Sequence, residues 1–177
     1  MPGAADRSES FTAASGTGFI AAGLLALAAA PIAAAQPTRA LWLTTWLAVA
    51  VLSLLVAGGA TLRKARRGRP AAVAGAERKL LRAFVPPAAV GALLTPFLAA
   101  AGPPGLLPAL WLLLYGAAVV TSGTWSVRII PAMGASFMVL GAASMLSPVT
   151  WADAYMAAGF GGLHVAFGGV IAREHGG

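Results

Sequence analysis

At 177 residues the chain has the length of one domain, yet 59% of it is hydrophobic and only 10% charged. A soluble domain carries about 25% charged residues, so most of this chain's surface has to meet lipid rather than water. Cysteine is absent, which excludes disulfides, thiolate zinc sites and thiol nucleophiles, and the formal charge of +7 gains meaning only from where the basic residues sit.

The chain opens with a segment, residues 1–17, that is rich in Ser and Thr and holds Asp6 and Glu9 beside Arg7. Such a composition reads as a disordered cytoplasmic N-terminus. Residues 18–177 read as a single transmembrane domain, because a hydrocarbon core of about 30 Å needs roughly 20 mostly apolar residues per helix. Six such runs follow in order: Gly18–Ala35, Ala40–Leu62, Phe84–Ala101, Leu106–Ser122, Ile130–Leu146 and Trp151–Ala172. None alternates apolar with polar residues as barrel strands do, and lipid obliges the backbone to satisfy its own hydrogen bonds. The expected fold is therefore all-α, a polytopic transmembrane helical bundle of six helices. The Ala33-Ala34-Ala35 end of the first run resembles a small-residue cleavage site, although the positive n-region of a signal peptide is missing. Cleavage there would leave five helices.

Short turn-prone breaks at Gln36–Arg39, Gly102–Gly105 and Ser147–Thr150 make the runs three antiparallel hairpins. Basic residues give the orientation. Arg63, Lys64, Arg66, Arg67, Arg69, Arg78, Lys79 and Arg82 fall in one basic cytoplasmic loop, 63–83, between the second and third runs. Arg7, Arg128 and Arg173 fall on the same side, against Arg39 alone on the other. The positive-inside rule then puts both termini in the cytoplasm, N-in and C-in. Trp42, Trp46, Trp111, Trp125 and Trp151 all fall near expected membrane–water boundaries, where an amphipathic ring is favoured. A tryptophan also opens the second helix of each hairpin, and Gly followed by a basic residue closes it. This pattern fits duplication of a hairpin unit, and equally fits interfacial Trp and cytoplasmic Arg recurring on helices of one orientation.

No Asp, Glu, Lys or Arg lies deep in the expected hydrocarbon, where pumps, ion-coupled carriers and intramembrane hydrolases need one. The chain therefore reads as non-enzymatic, with no catalytic residues, no metal site and no required cofactor. Asp153, at the start of the sixth run, either guards a pore mouth or complements a helix dipole. His164 lies about 20 Å along that helix from Trp151. It is the one candidate cofactor-binding residue, as an axial ligand to a haem or pigment. The alternative is a histidine hydrogen-bonded to a neighbouring helix, with Ser53 and Ser136 at matching depth. Ala157, Gly161, His164 and Gly168 form one small-residue face, and Gly134, Ser136, Gly141 and Ala142 a second, both suited to helix packing or to a homo-oligomer. Pro86, Pro87 and Pro96 either break the third helix to line a cavity or are tolerated, the first two as its terminus. The basic loop has two readings. It is a stop-transfer cluster with an interfacial helix lying on anionic headgroups, or a docking site for a cytosolic protein partner. It lacks a nucleic-acid reading motif.

The stretch Leu-Pro-Ala-Leu-Trp-Leu-Leu-Leu-Tyr-Gly at 107–116, with Gly159-Phe160-Gly161-Gly162-Leu163-His164 and its ending Ile171-Ala172-Arg173, resembles a group of uncharacterised six-helix bacterial inner-membrane proteins. The resemblance covers residues 80–177. It implies a bacterial plasma-membrane location and, because genes of that group lie beside winged-helix transcriptional regulators, a regulatory partnership. It implies no activity and no site residues. The hairpin pattern is also loosely similar to bacterial acid-stress membrane proteins built from repeated hairpins. Together these readings describe an accessory or sensory membrane component, the alternatives being a small channel or carrier for a neutral solute and a haem- or pigment-binding subunit.

Overall fold

The computed structural model describes residues 15–67, 70–124 and 126–175 and, within these, the side chains outside 64–80. Their backbone forms six helices: α1 (Gly16–Ala34), α2 (Arg39–Arg67), α3 (Pro70–Ala101), α4 (Leu106–Gly123), α5 (Ile129–Leu146) and α6 (Val149–His175). No strand occurs among the described residues. Each helix holds a stretch long and apolar enough to cross a membrane, so the chain is a multi-pass membrane protein. The helix α6 is not uniform. It begins as a 3₁₀ turn at Val149–Trp151, is α over Ala152–Met156, widens to a π-helix over Ala157–Leu163, and returns to α over His164–His175.

Local chemistry sets the ends. The Ser15 hydroxyl caps α1 by accepting from the Gly18 N–H at 3.3 Å, and the Thr38 hydroxyl accepts from the Leu41 N–H at 3.2 Å ahead of α2. Gly105, with φ of +84°, makes the left-handed step into α4 that a side chain would resist. Arg39 donates to the Gly102 carbonyl at 2.9 Å and, beside the Gly102 N–H, to the Leu98 carbonyl at 2.8 Å, capping the end of α3. The lone basic residue on that side of the sequence is thus a helix cap.

The segment 63–83 is not a loop. Apart from 68–69, which lie outside the described residues along with 1–14, Trp125, Gly176 and Gly177, its backbone is helical. An apolar-run criterion stops at the first charges. Ala, Leu, Lys, Arg and Glu are all good helix formers, however, and Pro70 occupies a first helical position where its missing N–H does no harm. In consequence Pro86 and Pro87 lie well inside α3 rather than at its start. Pro87 cannot bond the Ala83 carbonyl, which lies instead 3.0 Å from the Thr121 hydroxyl of α4, whose single proton it shares with the Ala117 carbonyl at 2.9 Å.

Glycines determine which helices touch. A Cβ on Gly134 of α5 would lie 2.7 Å from the Gly116 carbonyl oxygen of α4, and one on Gly141 2.9 Å from the Leu113 nitrogen. The same holds between α1 and α6. A Cβ on Gly168 would lie 2.9 Å from the Gly16 oxygen, and one on Gly161 2.5 Å from the Leu27 side chain. These two close pairs, each made between helices of different hairpins, build the centre of the bundle. Of the small-residue face on α5 only Gly134 and Gly141 are buried; Ser136 bonds the Ala132 carbonyl of its own helix and Ala142 is exposed. The spans Arg39–Arg63 of α2 and Leu81–Ala101 of α3 are 6% and 11% buried, against 33–50% for the other four. They flank the bundle, α2 along α1 and α3 along α4.

Candidate functional site

The close approach of α4 and α5 brings Tyr115 and Phe137 together, with ring centroids 4.8 Å apart, and α6 closes over them. There the Tyr115 hydroxyl meets His164 Nε2 at 2.7 Å. Phe137 and Phe19 meet the imidazole edge-on at 5.3 and 5.6 Å, and Phe160, one turn earlier on α6, stacks on it at 6.3 Å. His164 retains 6% of its exposure. Its Nδ1 lies beside the Phe160 and Gly159 carbonyls of the π-helix but makes no well-aligned hydrogen bond to them, so the imidazole is held firmly on its Nε2 side alone.

The partner of His164 is therefore neither Ser53 nor Ser136. Equal depth does not bring residues of different helices together; the long Tyr115 side chain reaches along the bundle to the imidazole. The π-helix ends at the residue before His164. Such widened turns recur at functional sites and set the rotation of whatever follows them. Nε2, the nitrogen through which an axial haem ligand ordinarily acts, is held by Tyr115, and aromatic rings pack around the imidazole. The arrangement serves as a lock between α4 and α6. His175, the second histidine, is the last residue of α6 and half-buried rather than in an exposed tail.

A second constellation forms at the end of the bundle that holds the 35–38 and 102–105 turns. Asp153 Oδ1 accepts from Trp42 Nε1 at 2.7 Å and from Trp46 Nε1 at 3.4 Å. The Trp42 ring stacks on Trp111, with centroids 5.7 Å apart and planes 13° from parallel. Trp111 Nε1 donates to the Thr95 hydroxyl at 2.9 Å, which donates to the Gly91 carbonyl at 2.7 Å. Helices α2, α3, α4 and α6 are tied at one level. Asp153 does sit in the first turn of an α segment, but its main partners are the two indoles. At this end Trp46 is 3% exposed and Trp42 and Trp111 are half-buried, so these indoles face neighbouring helices, while Trp151 is 59% exposed. The spacing of Trp42 and Trp46, four apart and so on one helix face, was the available signal.

The basic residues gather at the opposite end. Arg63 and Arg82 are exposed. Lys64, Arg66 and Arg67 belong to the last turn of α2 and Arg78 and Lys79 to α3, their side chains outside the described set, as Arg69 is altogether. Among the described residues no three His, Asp or Glu side chains converge as metal ligands.

No family model matches this chain, and neither the curated proteins nor the solved structures contain a match to it. The fold and its sites define a multi-pass helical membrane protein.

Proposed function

We propose that the chain is a non-enzymatic accessory component of a bacterial inner membrane, with both termini in the cytoplasm, and that it presents the basic ends of α2 and α3 to a regulatory protein partner. One observation carries this reading. The two least-buried spans continue past their apolar stretches as helix; these extensions hold Lys64, Arg66, Arg67, Arg78 and Lys79, and Arg63 and Arg82 stand where the spans give way to them. From Leu81 back to Pro70 the extension of α3 is about 16 Å long. Basic residues carried on helix offer a defined face to an acidic cytosolic protein, whereas a loose loop would first have to be ordered. The inner bundle of α1, α4, α5 and α6 is held by its own glycine contacts and by the Tyr115–His164 lock, which supports assigning the flanking pair α2 and α3 to an external task. The basic asymmetry supports the orientation.

The test is the mass of the complex purified in mild detergent from its own host. Replacing Arg63, Lys64, Arg66, Arg67 and Arg69 by Gln should remove a stoichiometric partner that the unaltered protein retains. Raising salt should have the same effect, since exposed charges are screened over about 8–10 Å. An identical complex from both proteins at every salt concentration overturns the reading.

A further inference from the structure

Where α1 passes α2 near the basic end, a cavity of about 380 Å³ opens on the membrane-facing surface. Its origin is legible in the residues. Gly18 draws the two helices together, since a Cβ there would lie 3.0 Å from the Ala60 Cβ and 3.1 Å from the Ala57 Cα. On the neighbouring face of α2, a Cβ on Gly59, which lines the cavity, would meet no atom within 4 Å. One absent side chain thus opens a trough beside a tight helix contact. Leu55, one turn deeper than Gly59 and 67% exposed, forms an apolar wall, and Ala60 lines it beside Gly59. Thr17 and Arg63 line the open end. Arg63 is also the last residue of the membrane-spanning stretch of α2, where hydrocarbon gives way to headgroups.

The geometry points to a bound anionic phospholipid: one acyl chain in the trough, its phosphate on Arg63 and the Thr17 hydroxyl. From Leu55 to Arg63 the trough runs about 12 Å along α2, enough to hold the upper part of a chain that enters from the headgroup level. The guanidinium presents a planar pair of donors to phosphate oxygens, a match that a lysine ammonium lacks. Selection for an anionic headgroup follows from charge. Between residues 63 and 82 stand eight basic residues against Glu77 alone, so a zwitterionic lipid's ammonium is repelled where a phosphatidylglycerol headgroup is not. This site is independent of the partner reading, because it is built on the α1–α2 seam and needs no cytosolic protein.

Native mass spectrometry of the full chain in mild detergent tests it, with phosphatidylglycerol or phosphatidylcholine added at equal concentration. The unaltered protein should retain one phosphatidylglycerol per chain and several-fold less phosphatidylcholine. Gly59→Phe should fill the trough and abolish retention, and Gly59→Ala, whose methyl meets nothing, serves as the folded control. Arg63→Gln, at an exposed position that does not threaten folding, should weaken phosphatidylglycerol about fivefold with little effect on phosphatidylcholine. Retention of phosphatidylglycerol by Gly59→Phe and Arg63→Gln equal to that of the unaltered chain overturns the site. So does a lipid-independent dimer that Gly59→Phe converts to monomer, since the trough would then belong to a second copy.

Discussion

Removing the Tyr115 hydroxyl should have opposite effects depending on what stands at position 164. In the native chain Tyr115→Phe keeps the ring among Phe84, Phe137 and Phe160 but takes away the oxygen 2.7 Å from His164 Nε2. A side-chain hydrogen bond between membrane helices contributes about 0.6 kcal/mol on average and about 1.7 at most. With Nδ1 only poorly aligned on the Phe160 and Gly159 carbonyls, the substitution leaves Nε2 unpartnered in an apolar cluster, so the destabilisation should reach the upper part of that range. His164→Leu removes the polar ring and instead orphans the Tyr115 hydroxyl. In that background Tyr115→Phe deletes a buried polar atom with no partner and should leave stability unchanged or raise it. Four proteins, compared by unfolding in mixed detergent micelles, close the cycle with an interaction energy of about 1–2 kcal/mol. Additive losses, with Tyr115→Phe equally damaging in both backgrounds, would refute the lock between α4 and α6.

Gly134→Ala should destabilise the bundle by about 1–3 kcal/mol, because its methyl meets the backbone of α4, whereas Gly59→Ala should change the same melt by less than its error or stabilise slightly. Thr121→Val should destabilise the native chain by about 0.5–1.5 kcal/mol, but not a Pro87→Ala chain whose restored N–H bonds Ala83 within α3; equal losses in both would separate Thr121 from the proline. Cysteines placed singly at Arg67 and Pro104, in a chain that has none of its own, should react with an impermeant thiol reagent in intact cells only at Pro104, and labelling at Arg67 would invert the orientation.

The six spans were legible because hydrocarbon length and charge exclusion act on composition alone, and most boundaries fall within two or three residues of the structure. The exceptions, the end of α2 five residues further on and above all the start of α3, show the limit of that signal. Hydropathy reports where lipid ends, not where backbone hydrogen bonding ends, and only Pro70 marked the true start. Lateral pairing was less legible. Gly134, Gly141, Gly161 and Gly168 could be read as packing positions from their spacing, but not which helix each would meet. The Tyr115–His164 bond escaped because a depth argument compares Cα levels. Tyr115 lies about 9 Å closer to its helix start than His164 does to the start of α6, and the long tyrosine side chain with its hydrogen bond bridges that difference. The π-helix before His164 has no composition of its own. Its wider turn belongs to the packing of Gly159 and Gly161 against Leu112 and Leu27. Asp153 could be placed in a first helical turn, yet its two indole donors come from a helix 107 and 111 residues away in sequence.

The claim that the basic end of α2 and α3 is the face offered to a partner is tested most directly by crosslinking in living cells. A photoreactive amino acid at Leu62 of α2 or Leu81 of α3, exposed by 55% and 61% beside the basic residues, should give a protein adduct of one discrete mass. The same probe at Val139 of α5, open at 68% but away from that end, should give none. Adducts of equal yield at all three positions, or an adduct at Val139 alone, would contradict the account.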